Sequence, residues 1–133
     1  MASTEITGQV DVIKVGMDEI APHGVTDVGE VQQGRVTQWE LDAERYGLGG
    51  ADVQALSGGE PAANAARIER LLSDGREDAA GLAALLLNAG AAIYVAGLTE
   101  SYEVGVTRAR ETLRSGGGRE ALERLRRATS TSG

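Results

Sequence analysis

The chain divides into a first third whose apolar residues come in short β-branched runs and a remainder whose apolar residues recur at helical spacing. Val10 to Val15 (VDVIKV) is one such run; it stops at Gly16 and reads as a buried strand. A turn cluster, Ala21 to Gly24, follows. Val25 to Val31 and Arg35 to Leu41 are two β-prone segments joined by Gln32, Gln33 and Gly34. Gly34 can take the left-handed backbone that a hairpin turn requires, so a β-hairpin is predicted. In its second arm Val36, Gln38 and Glu40 alternate with Arg35, Thr37, Trp39 and Leu41, a half-buried pattern.

Asp42 to Tyr46 reads as one helical turn ended by Gly47, and the pairs Gly49-Gly50 and Gly58-Gly59 bracket a linker. Glu60 and Pro61 then open a helix, with Pro at the first-turn position it tolerates and Gly75 near the end. Ala65, Ile68 and Leu72 form its expected buried stripe. Residues 79–98 (AAGLAALLLNAGAAIYVAGL) carry no charge over about the length of a bilayer span. Eleven of those twenty are Ala or Gly and Asn88 sits among them, which reads as a helix buried by its neighbours, capped by Asp78 and ended by Gly97. Thr99 or Ser101 starts another helix that runs to Gly116–Gly118. On the last helix Ala121, Leu122, Leu125 and Ala128 share one side. The expectation is an α/β (or α+β) fold: a small mixed sheet from the N-terminal third against several helices. Residues 10–128 make one domain, 1–9 a flexible N-terminus and 129–133 a frayed tail.

Composition narrows the chemistry. The 133 residues contain no Cys, which removes disulfides, thiolate metal sites and cysteine nucleophiles, and suits a cytoplasmic protein. With no Phe and 3% aromatics, the core must be built from Leu, Val, Ile and Ala. The net charge of −7 argues against a nucleic-acid binder. Residues 1–60 hold eleven acids against three bases, whereas residues 102–133 hold four acids against seven arginines. The start of the chain lacks the basic and apolar regions of a secretory signal.

Two adjacent carboxylates, Asp18 and Glu19, come directly after the first strand and its glycine. Loops at strand C-terminal ends are where α/β folds keep ligands. Paired carboxylates there suit magnesium, which takes one or two protein carboxylates and completes its shell with water and phosphate oxygens; the same pair also reads as two solvated loop acids. His23 is the only histidine, so no multi-histidine metal site exists, but it can serve as a general base oriented by Asp18 or Glu19. Gly47 to Gly50 and Ser57 to Gly59 fit no P-loop or dinucleotide fingerprint and read as linkers. Asn64 and Asn88 lie inside helices, where Asn is intrinsically unfavourable, so structural hydrogen-bond roles are expected of both.

The ordered blocks GMDEI, APHGVT, the hairpin, WELDAERYGL, GGEPAANAARI, LLLNAGAAIYVAG and SYEVGVTRARE resemble the C-terminal part of anthranilate phosphoribosyltransferase, from about Val10 to Leu125. That family joins anthranilate to the phosphoribosyl group of phosphoribosyl pyrophosphate in tryptophan biosynthesis. The resemblance implies a magnesium ion, bound with the substrate pyrophosphate by Asp18 and Glu19. It implies structural roles for Asn64 and Asn88. It further implies a glycosyltransferase whose dimer-forming helical domain, glycine-rich pyrophosphate loop and anthranilate-holding groups lie in an N-terminal part that these residues do not include. The family's His-Gly before the Asp-Glu loop is altered, with Lys14, Val15 and Gly16 standing there.

Phosphoribosyl transfer depends on holding two substrates in register and stabilising developing charge, and half a site does little of either. The lone chain is therefore expected to be a truncated or split transferase, inactive without an N-terminal partner chain. A repurposed binding or assembly module, or a small enzyme with new chemistry around Asp18, Glu19 and His23, are the alternatives. Apolar surface left bare on such a chain favours a homodimer.

Overall fold

The structure, a computed structural model, describes residues 9–11 and 19–130. Strands β2 (Val25–Gln32) and β3 (Arg35–Asp42) pair antiparallel with Gln32 opposite Arg35. The two-residue turn between them has φ of 51° at Gln33 and 74° at Gly34. Both central residues are left-handed, as the hairpin turn that matches strand twist requires. Strand β1 (Gln9–Asp11) pairs antiparallel with the other edge of β2, placing Val10 opposite Val28, so the sheet order is β1-β2-β3. All pairings among the described residues are antiparallel. The expected strand from Val10 to Val15 is described only through Asp11; residues 12–18 lie outside the described residues.

One face of the hairpin is packed near its base. Thr26 and Val28 of β2 are buried opposite Leu41 and Trp39 of β3. Toward the tip the expected alternation brings no burial: Arg35 to Gln38 are all exposed, and Val36 is 68% exposed. After β3, Asp42 accepts the Glu44 N–H at 3.0 Å and starts a 3-10 turn, Ala43–Tyr46, which Gly47 ends at φ 67°. Leu48 then tucks into the core, and a second 3-10 turn, Val53–Leu56, precedes the helices.

Four helices follow: α1 (Pro61–Ser73), α2 (Ala79–Val95), α3 (Tyr102–Arg114) and α4 (Gly117–Ser130). The uncharged run forms α2, and no described helix is long and apolar enough to cross a membrane. Ala80, Gly81, Ala83, Leu86, Leu87 and Gly90 are buried, while the C-terminal end emerges, with Leu98 beyond it 74% exposed. Helix α2 lies against α3 closely enough that a Cβ added at Gly105 would stand 2.4 Å from the Gly90 carbonyl oxygen. A Cβ at Gly90 would meet Val106 at 2.7 Å. Only glycine lets the two backbones approach in this way. Ile20, Val28, Leu41, Leu86, Leu87, Tyr102, Val106 and Ala109 fill the core between sheet and helix pair.

The outer helices are held differently. The expected stripe of Ala65, Ile68 and Leu72 is not buried: α1 has no buried residue, Ile68 is 49% exposed, and only Leu72 is half-covered, beside Gly118. Helix α4 also buries nothing, and Leu125 is 60% exposed. The reason is that α1 and α4 touch α3 and each other only through narrow apolar stripes, which cover little area. Polar contacts keep α1 in place. Arg67 grips Asp78 through Nε (2.5 Å) and Nη2 (2.9 Å), and Nη2 also donates to the Ala55 carbonyl at 2.8 Å. Arg126 pairs with Glu69 to tie α4 to α1. Thr129 and Ser130 are helical, their hydroxyls donating to Leu125 and Arg126 carbonyls, which holds the last turn before 131–133, outside the described residues.

Two stability predictions follow from these contacts. Gly105→Ala forces α2 and α3 apart and should cost about 1–3 kcal/mol in urea unfolding, as overpacked cores do; an unchanged midpoint would mean that the helices are free to separate. The second concerns Asp78, which caps α2 by accepting the Gly81 N–H at 2.9 Å while its hydrogen bonds to Arg67 hold its carboxyl below the usual carboxylate range. A carboxyl depressed in the folded state contributes stability above its unfolded pKa of about 3.9 and loses it as pH falls through the lower folded value. Asp78→Asn keeps a cap acceptor but removes the charge. Thermal unfolding should therefore find it less stable than the wild type at pH 7, with the gap closing below about pH 4.

Candidate functional site

The loop from Glu19 to Gly24 enters the protein and leaves it again within six residues. Ile20, Ala21 and Pro22 are almost completely buried, whereas Glu19 before them is exposed. Asp18 lies outside the described residues. Burying the backbone of Ile20 requires partners for its polar groups, and one side chain supplies both. Asn88 of α2 accepts the Ile20 N–H through Oδ1 at 3.0 Å and donates from Nδ2 to the Ile20 carbonyl at 3.0 Å. Its remaining amide hydrogen bonds the Ala84 carbonyl, one turn back on α2, at 2.9 Å.

Asn64 of α1 makes the same pair of bonds to Gly59, accepting its N–H and donating to its carbonyl, both at 2.8 Å. That clamp is local and exposed. The hydrogen-bond roles expected of both asparagines are thus present, and each offsets an unfavourable helical residue by fixing a loop.

His23 is half-buried, and its Nδ1 has no hydrogen-bond partner; neither does Thr26 Oγ1, among the described residues. Glu19 and His23 flank the buried anchor of the loop. A cavity of about 820 Å³ is lined by α1 and the 74–78 turn, including Arg67, Arg70, Arg76 and Asp78. No residue of the 19–24 loop lines it. The Gly47 to Gly50 segment is a turn, with φ of 67° at Gly47 and 80° at Gly50, and Leu48 anchors it.

A polar cluster that sequence reasoning missed joins the sheet to α2. Glu30 of β2 accepts from Trp39 Nε1 at 3.2 Å and from the Tyr94 hydroxyl. Trp39 and Tyr46 pack on Tyr102, with ring centroids 5.7 Å and 5.2 Å apart, and the Tyr102 hydroxyl donates to the Leu87 carbonyl at 3.0 Å. Burial pushes the Tyr102 phenol well above its ordinary range. An acid in a β-prone run ordinarily takes the solvent side, so the only signal that Glu30 faces inward is its place two residues after Val28 and four after Thr26, on the same face of the strand.

The hydrogen bond to Glu30, reinforced by desolvation, raises the Tyr94 phenol above its ordinary value. Glu30→Gln removes the charge that opposes ionisation, so one tyrosine should titrate at lower pH when phenolate absorbance is followed. An unaltered alkaline titration would show that the carboxylate does not face Tyr94.

Residues 4–119 match the family model described as "Glycosyl transferase family, a/b domain". Anthranilate phosphoribosyltransferase of Haloarcula marismortui is 42% identical over 110 residues, 83% of this chain and 33% of that protein. The crystal structure of anthranilate phosphoribosyltransferase from Thermus thermophilus superimposes with a TM-score of 0.75 at 41% identity, over 88% of this chain and 34% of the other. The Saccharomyces cerevisiae enzyme, solved in complex with PRPP and Mg, shares the fold with a TM-score of 0.71 at 23% identity, over 84% of this chain and 32% of that one. The chain spans about a third of the length of the curated relatives it matches. A match over residues 4–119, on a fold of this likeness, places the chain in the glycosyl transferase family, as an a/b domain of the anthranilate phosphoribosyltransferase kind.

Proposed function

We propose that this chain supplies the magnesium-and-pyrophosphate half of an anthranilate phosphoribosyltransferase site, with Asp18 and Glu19 as the carboxylates that hold the metal. One observation carries the reading: Glu19 is exposed directly beside a backbone that Asn88 clamps, so its carboxylate stands in solvent on a fixed stem. The donor chemistry fits magnesium, a hard cation that prefers oxygen ligands and keeps several sites for water and phosphate oxygens. Exposure leaves Glu19 room for such a mixed shell. When bound, the ion neutralises charge on pyrophosphate.

The acidic balance of residues 1–60 supports the same reading, because a negative field draws in a divalent cation. The chain by itself is then a binder of phosphoribosyl pyrophosphate, and transfer to anthranilate needs the parts that its relatives carry in addition. A partner chain or a second copy supplies them in this reading, and His23 has no assigned step.

Isothermal titration of pyrophosphate and phosphoribosyl pyrophosphate, with and without magnesium, tests this. Binding heat is expected only with magnesium, and should disappear in Asp18→Ala and in Glu19→Ala. Binding that persists in both variants, or no heat in any condition, would leave the family relationship as an account of the fold alone.

A further inference from the structure

The two asparagine clamps are chemically alike, but they end in different places. The Asn64 clamp closes a turn five residues back on the same surface. The Asn88 clamp crosses 68 residues of sequence and ends on Ile20, the residue that follows Glu19. The Ile20 N–H belongs to the peptide unit that joins Glu19 to Ile20, so bonding that N–H fixes the plane from which the Glu19 side chain departs.

Both ends of the clamp are rigid. On the loop side, Ile20 and Ala21 are at most 2% exposed, so the segment has nowhere to slide. On the helix side, Leu86 and Leu87 next to Asn88 are fully buried, the Leu87 carbonyl accepts the Tyr102 hydroxyl, and Gly90 lies against Val106 and Gly105. The carboxamide itself has one orientation. Both amide hydrogens are committed to carbonyls and Oδ1 to an N–H, so a flipped amide would set donor against donor.

We propose that Asn88 is a positioning residue for the ligand site: it holds the backbone at Glu19 so that the loop carboxylate meets a cation already aimed. This rests on the reading of Asp18 and Glu19 as metal carboxylates. Magnesium demands near-ideal octahedral geometry, so its affinity is sensitive to small displacements of a ligand's stem. Groups that orient metal ligands from behind typically contribute about 10–100-fold in affinity.

The test titrates the intact chain with pyrophosphate in the presence of magnesium, comparing the wild type, Asn88→Ala, Asn88→Ser and Asn64→Ala. Circular dichroism checks folding, and amide hydrogen exchange follows Ile20. The wild-type titration judges the metal reading by itself, and its failure to bind overturns that reading and this inference together. Given wild-type binding, Asn88→Ala should weaken it by about 10–100-fold. The Ile20 amide should exchange faster while α2 and α3 amides stay protected. Asn64→Ala, which deletes the same two bonds elsewhere, should bind as the wild type does. A folded Asn88 variant that binds within a factor of about two overturns the positioning role. Loss of folding in both Asn88→Ala and Asn88→Ser also overturns it, and makes the residue a core element instead.

Discussion

Gly90 and Gly105 allow two helix backbones to meet with no side chain between them, and the rest of the core takes its place from that contact. Once α2 and α3 are this close, Tyr102, three residues before Gly105, comes within reach of the Leu87 carbonyl and stacks on Trp39 and Tyr46. Tyr94, one turn after Gly90, reaches Glu30 across the sheet interface. Asn88, two residues before Gly90, meets Ile20. One close crossing therefore sets three separate polar bridges in register. Packed interiors do not deform continuously, so a shift at the crossing would be felt at all three.

The polar bridges also explain how a core with few aromatics specifies one arrangement. Leu, Val and Ala pack adequately in several registers, whereas a buried amide or phenol left without its partner costs about 1–3 kcal/mol. Ile20 and Leu87 each present polar atoms that a single side chain from another element satisfies, and Glu30 is shared between Trp39 and Tyr94. A slipped register would strand those atoms. Specificity here comes from hydrogen bonds laid over a hydrophobic pack, and the candidate loop inherits it.

Much of the fold was legible in the sequence. The hairpin, the 3-10 turn ended by Gly47, Pro61 opening α1, Asp78 capping α2 and Ser101 capping α3 follow from local chemistry that acts within a few residues. The stripe of Ala65, Ile68 and Leu72 shows the limit: periodicity says which side of a helix is apolar, not whether anything covers it. Glu30 was illegible because inward-facing acids are rare and need partners from remote elements, here Trp39 and Tyr94. The Asp18–Glu19 pair was visible as chemistry, but the clamp on Ile20, the residue after Glu19, comes from Asn88, 68 residues away, and no local rule reaches that far.

Helices α1 and α4 bury no residue, while the sheet, α2 and α3 enclose the core. Segments with few buried contacts open at lower free energy than the domain as a whole. The protein is thus layered in cooperativity: α1 and α4, tied to each other by Arg126–Glu69, form an outer unit able to breathe, latched to the start of α2 by Arg67–Asp78. The inner unit, which carries the Glu19 loop on Asn88, draws its core from the sheet, α2 and α3. The bonds that hold the loop after Glu19 to Asn88 involve neither outer helix.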